Sequence, residues 1–164
     1  MRGLKIAAIA SFTLLLVVCV LVGYLFLTAE VRIVDIQSHG ISAADDPDVF
    51  ERIKTDVIDD AFYGTLYQEP LVWKDAEEYV FLTYNIKLRN DCLIPIDMIE
   101  VQVVPQSYDI LQMPDLKVKS LELKSEGELE VQILTTKDTH PIREIIVTYY
   151  LWGVSGNIKT VYGQ

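Results

Sequence analysis

Two histidines, two cysteines and 24 acidic side chains hold what chemistry this 164-residue chain could perform. Their spacing assembles little of it. His39 and His140 have no second histidine or cysteine at a metal-ligand interval, so both read as surface loop residues. Asp45, Asp46, Asp48 and Glu51, continued by Asp56, Asp59 and Asp60, gather hard oxygen donors of the kind Ca²⁺ takes. The spacing is not that of an EF-hand loop, which alternates its oxygens around a central glycine and ends on a glutamate. A solvated helix face, with acids near its amino end, accounts for the same residues. No Gly-x-Ser-x-Gly, phosphate-cradling glycine loop or Ser-His-Asp set occurs. Carboxylates are so plentiful that no pair stands out for acid–base work. The expectation is a noncatalytic protein with no cofactor and no metal site beyond that acidic candidate. Tyr149, Tyr150, Trp152 and Tyr162 are the candidate interaction residues, because tyrosine and tryptophan favour interfaces. On a strand with two buried faces, half of them would belong to the core instead.

The elements that must position these residues begin with a membrane segment. Residues 6–27 are apolar except for Ser11, Thr13, Gly23 and Tyr24, and as a helix they reach roughly 33 Å against a hydrocarbon core of roughly 30 Å. A cleaved secretory signal would have a shorter apolar stretch and a small-x-small exit, and the best exit here, Leu27-Thr28-Ala29, starts with leucine. The expectation is an uncleaved anchor over residues 1–29. Arg2, Lys5 and the amino terminus precede the run while Glu30, Arg32 and Asp35 follow it, which keeps the start cytoplasmic and the remainder outside. Cys19 follows Leu16-Val17-Val18, unlike a lipid-accepting site, and reads as a buried membrane thiol. With Cys92 alone outside, residues 30–164 can close no internal disulfide and must be stabilised by a core. The net charge of −10 disfavours nucleic acid and anionic headgroups as ligands.

Residues 30–164 are enough for one domain. Val80, Leu82, Tyr84, Ile86 and Leu88 alternate with Phe81, Thr83, Asn85, Lys87 and Arg89, the pattern of a half-buried strand. Asn90-Asp91 marks a turn. Ile99, Val101 and Val103 share the inner face of a second strand that Pro105 ends. Residues 108–111 and 116–123 read as short strands, and Ser125-Glu126-Gly127 as a glycine-dependent reversal. Leu129, Val131 and Ile133 face inward on the next strand. Residues 144–152, apolar on both sides, form a central strand, and residues 153–156 turn the chain into a closing one. Before all these, residues 31–37 form a first strand. Asp46-Pro47 opens a helix over about residues 47–60, with Val49, Phe50, Ile53, Val57 and Ala61 at helical spacing. The fold class is all-β: an antiparallel immunoglobulin-like two-sheet sandwich with one short helix, preceded by a transmembrane helix.

Tyr84-Asn85-Ile86-Lys87-Leu88-Arg89-Asn90-Asp91, followed by Ile94-Pro95-Ile96-Asp97 and then Ile99, Val101 and Val103, resembles the β-sandwich domains of the late-embryogenesis-abundant, water-stress type and their immunoglobulin-like relatives. The pattern spans about residues 77–135, with Asp91 where that family usually has proline. The resemblance implies a sandwich and protective or binding roles, and it brings no catalytic residues. The expected function is a membrane-anchored extracytoplasmic interaction or scaffold module whose partner is an envelope or membrane protein. A Ca²⁺-binding or stress-protective envelope module is the alternative. Ser11-Phe12-Thr13-Leu14-Leu15-Leu16 also resembles the Phe-Thr-Leu opening of type IV pilin helices, but the preceding glycine and following acid of that pattern are missing, which leaves a filament subunit as a minor reading.

Overall fold

Leu4, Ile9, Phe12 and Leu15 each expose 60% or more of their surface along a single helix, α1 (Arg2–Leu27). In the computed structural model, residues 2–114 and 120–163 are described. The stretch Gly3–Leu27 is 25 residues long with a mean hydropathy of 2.8, long and apolar enough to cross a membrane. A helix apolar on every side needs a nonaqueous surrounding. It is a membrane anchor or a signal helix.

Beyond it the chain alternates with period two, and the alternation sorts side chains between two sheets. The strands are β1 (Val31–Ser42), β2 (Thr65–Leu66), β3 (Tyr79–Asn90), β4 (Asp97–Val103), β5 (Asp109–Gln112), β6 (Glu126–Thr136), β7 (Arg143–Leu151) and β8 (Val154–Tyr162). A five-stranded sheet runs β1-β3-β6-β5-β2 and a three-stranded sheet runs β4-β7-β8, with every pair antiparallel. Leu82, Tyr84, Ile86, Leu88, Val131 and Ile133 from the first sheet meet Ile99, Val101, Val103, Ile145 and Val147 from the second in one buried core. Each buried aliphatic side chain there contributes about 1.5 to 3 kcal/mol of transfer free energy. The result is an immunoglobulin-like sandwich, with β7 central in its smaller sheet.

A third layer covers the outer face of the larger sheet. Asp46 caps α2 (Pro47–Ile58) by accepting the Val49 amide at 3.3 Å, and Pro47 occupies the first turn. Phe50, Ile53 and Val57 then pack onto Phe81, Leu111 and Leu134. This corrects the half-buried reading of β3: Tyr79, Phe81 and Thr83 are as buried as Leu82 and Tyr84, because α2 roofs that end of the strand. Only toward its other end does β3 turn a polar outer face to solvent.

Further differences have local causes. β1 runs on to Ser42, paired with β3 as far as Val80, so His39 is an exposed strand residue opposite Thr83 rather than a loop residue. Gly127 is not in a turn. It pairs with Leu88 inside β6, where a side chain would collide with Leu121, and the positive φ of this connection falls on Lys124 at 54°. The last hairpin turns one residue early, on Trp152 (φ 48°) and Gly153 (φ 82°), a pair of positive dihedrals that suits the twist of the flanking strands. Gly156 then lies within β8, beneath the Tyr149 ring. Of the strand expected over residues 116–123, residues 116–119 lie outside the described residues, and Leu121 makes one bridge to Ile96.

Candidate functional site

A buried polar network ties the sandwich together where α1 enters it. Asn90 closes β3 pointing inward, in phase with Ile86 and Leu88, and is fully buried. Its amide nitrogen donates toward the carbonyls of Ile94 (3.1 Å), Glu122 (2.9 Å) and Leu121 (3.3 Å), while its oxygen accepts the Cys92 amide at 2.9 Å. One side chain thus organises the β3–β4 loop and the strand-free segment before β6. The Asp91 amide donates to the Glu30 carbonyl at 2.9 Å, and the Cys92 thiol reaches the same oxygen at 3.5 Å. Leu25, Phe26 and Ala29 pack against the sandwich core, and the Phe26 ring meets Trp152 edge-on at 5.9 Å. The helix therefore joins the domain through contacts as well as through the chain.

Charges rim this junction. Asp91 takes Arg89 Nε at 2.9 Å and Arg32 Nη2 at 2.8 Å. Partial desolvation lifts the Asp91 carboxyl, but the two guanidiniums outweigh it and hold it below its usual value. Lys87, at 2.9 Å, holds Glu126 low in the same way. Burial pushes the Cys92 thiol up, which keeps it in the unreactive protonated form.

A second polar centre is buried between the sheets. Arg143 precedes Ile145 and Val147 in the inward phase of β7, and its Nε and Nη2 donate to the two Asp109 oxygens at 2.8 and 2.7 Å, with both side chains fully buried. Nη2 also donates to Thr139 Oγ1 and Nη1 to the carbonyls of Ile142 and His140, so every guanidinium N–H has an acceptor. Tyr84 donates to the Pro141 carbonyl at 2.7 Å and Tyr67 to that of Val103 at 2.7 Å. Burial drives both hydroxyls well above their usual pKa. The Gln112 amide accepts from the Val103 N–H at 2.9 Å and donates to the Val101 carbonyl at 2.8 Å. These groups satisfy one another and act as a pin between sheets.

The predicted acidic residues are placed elsewhere. Asp45 sits in a 3-10 turn before α2, Asp46 is the helix cap, Asp48 lies in the first turn and Glu51 pairs with Lys54 at 3.2 Å; all four are exposed. Among the described residues, no three His, Cys, Asp or Glu side chains are grouped to hold a metal ion. The predicted aromatics do not form one platform either. Tyr162 stacks edge-on against Tyr84 at 5.7 Å and Tyr149 packs on the core, whereas Tyr150 is only partly covered and Trp152 is 56% exposed. A cleft of about 410 Å³ beneath α2 is lined by Arg52, Asp56, Phe62, Tyr63 and Met113 among others. A polar groove of about 500 Å³ on the outer sheet face is lined by Asp35, Gln37, Asn85, Lys87 and Glu128. Neither brings a histidine or cysteine to its wall.

Sequence reasoning missed Asn90's inward role, the Arg143–Asp109 pair and the Gln112 bridge. The strand phase that places Arg143 with Ile145 and Asn90 with Leu88 was the available signal.

No protein-family model matches the sequence, and no curated protein matches it. Solved structures similar to this chain include the yeast GGA1_GAE domain-P21 and the GAE domain of GGA2p from Saccharomyces cerevisiae, each at 10% identity and a TM-score of 0.35. They cover 60% and 62% of this chain and 96% of each of those chains. At that level the likeness carries no functional argument.

Proposed function

We propose that this protein is a noncatalytic interaction module, held by α1 as an uncleaved anchor with its amino terminus in the cytoplasm and its sandwich outside. The observation that carries this reading is an apolar loop displayed far from the anchor. Leu71 is fully exposed and Val72 is 77% exposed in the connection between α2 and β3. Trp73, next in sequence, is clustered with Phe50 and Tyr79 at ring separations of 5.2 to 6.0 Å, which fixes the loop beside α2. β1 leaves the anchor and ends near this loop, a rise of roughly 40 Å over its length. Exposed apolar residues on a loop carried by a rigid scaffold suit a protein partner.

The test places a photocrosslinking residue at Leu71 or Val72 of the full chain in its native membrane, with Lys159 on β8 as the control position. A discrete adduct from the loop positions alone, insensitive to chelator and lost in Leu71→Asp, is the expected result. Adducts of equal pattern from every position would refute the reading. Tight Ca²⁺ binding by calorimetry that disappears in Asp46→Asn, Asp48→Asn and Glu51→Gln would favour the cation-binding alternative instead.

A further inference from the structure

We propose that the tip of the β7–β8 hairpin is a lipid-contact site: Trp152 and Val154, with Leu93 of the β3–β4 loop, lie in the boundary between headgroups and acyl chains and seat the sandwich on the bilayer. This inference rests on the reading of α1 as a spanning anchor. Phe26 is the penultimate residue of the apolar span Gly3–Leu27, and the Trp152 indole meets its ring at 5.9 Å with planes 75° apart. A ring that touches Phe26 from the side stands at the depth of Phe26. If the span fills the hydrocarbon core, that depth is the interface.

The surrounding residues suit the same level. Trp152 and Val154 are each 56% exposed and Leu93 is 50% exposed, so about half of each apolar surface has no cover within the domain. Leu93 belongs to the loop tied to Glu30 through the Asp91 amide at 2.9 Å, three residues past the span. Backbone geometry fixes the tip, since Trp152 and Gly153 take φ of 48° and 82°. A bulky residue rarely adopts a positive φ, and a hairpin turn usually gives that position to Asn, Asp or Gly. A tryptophan there makes sense if its indole is needed. Tryptophan is the side chain enriched at the membrane–water interface, where its apolar body and N–H suit the two sides. The occupant assigned to the tip is therefore the bilayer, continuous with the lipid around Tyr24 and Leu27, which are 56% and 90% exposed.

Tryptophan fluorescence tests this directly, because the chain has two tryptophans and Trp73 lies beside α2. The full chain and Trp152→Phe are reconstituted into phosphatidylcholine vesicles containing lipid brominated either near the top or near the end of the acyl chain. The Trp152 signal is the difference between the two proteins. Expected is the loss of most of that signal with shallow bromine, little loss with deep bromine, and protection from aqueous iodide. Quenching by iodide but not by bromine would overturn the proposal, as would protection from both, which would mean a protein covers the tip. Leu15→Trp in the Trp152→Phe background reports on α1 itself and should be quenched by deep bromine. Quenching there without quenching at Trp152 sinks the hairpin site alone. No quenching at either position sinks the anchor reading with it.

Discussion

Arg143 and Asp109 give one another what water would have supplied, and the importance of such a pair lies mostly in the cost of removing half of it. Each ion loses its hydration on burial, so the pair together adds little, but a lone buried charge is costly. Asp109→Leu or Arg143→Met should lower the unfolding free energy by about 3 to 5 kcal/mol in denaturant titrations, and the double change Asp109→Leu with Arg143→Met should recover much of it. Strict additivity of the two single losses would argue against a coupled pair. The tyrosines beside them set the alkaline limit. Burial raises Tyr84 and Tyr67 above the ordinary value of about 10, so the folded chain keeps protons that the unfolded chain releases. Stability is whole below about pH 10 and falls above it, by at most about 1.4 kcal/mol per pH unit for each group. Tyr84→Phe should cost about 1 to 3 kcal/mol at neutral pH by leaving the Pro141 carbonyl without its donor, and it should flatten the alkaline decline. Asp91 and Glu126 act with the opposite sign, since their lowered carboxyls favour the fold above the usual carboxylate range and lose that effect as acid protonates them. At this scale the sequence was hardest to read. Asn90 looks like a turn residue and does accept the Cys92 amide as one, but its three donor contacts come from segments more than thirty positions away as well as from its own loop.

At the scale of elements, α2 is the part most dependent on one face. Phe50, Ile53 and Val57 are its buried residues, Val49 is partly covered, and apart from Pro47 and Ile58 its exposed positions are polar. Phe50→Ala should cost about 3 to 5 kcal/mol and Asp46→Ala about 1 kcal/mol, the latter by leaving the Val49 amide without its cap. Amides of α2 should exchange with deuterium faster than those of β3 and β6, which have neighbours on both sides; equal protection would mean that helix and sheet open together. This helix was legible because Asp46-Pro47 and the spacing of its apolar residues are local signals. What its spacing did not reveal is where the apolar face goes, so β3 read as half-buried although Phe81 lies under Phe50 and Ile53. The inner faces of β3, β4 and β6 were legible because alternation reports burial on one side, whereas β7 read as apolar on both sides although its outward residues 144, 146 and 148 are only partly covered. Turns were less so. Gly127 attracted a turn assignment that belongs to Lys124, since a glycine excluded by Leu121 looks the same in sequence as a glycine required by φ.

For the whole molecule, the proposed anchored topology predicts that protease added outside cells digests the sandwich and spares the amino terminus, while a mature chain beginning near Glu30 would refute it. The contacts of Leu25, Phe26 and Ala29 add that residues 31–164 made alone should remain β-rich but unfold more readily than the full chain, because they lose cover from the base of the core. The β4 edge of the smaller sheet bears on how the chain meets its own copies. β4 borders only β7 in that sheet, so its other side carries backbone groups that a strand from another molecule could engage. The Gln112 amide already occupies the Val103 N–H and the Val101 carbonyl there, and Leu121 exchanges both backbone bonds with Ile96 at the start of the strand. Imitating a neighbouring strand with one side chain and one bridge leaves an intruder little to bind. Gln112→Ala should therefore yield a protein that still folds but self-associates with time and concentration, visible as rising light scattering, whereas Gln102→Ala on the exposed face of the same strand should not.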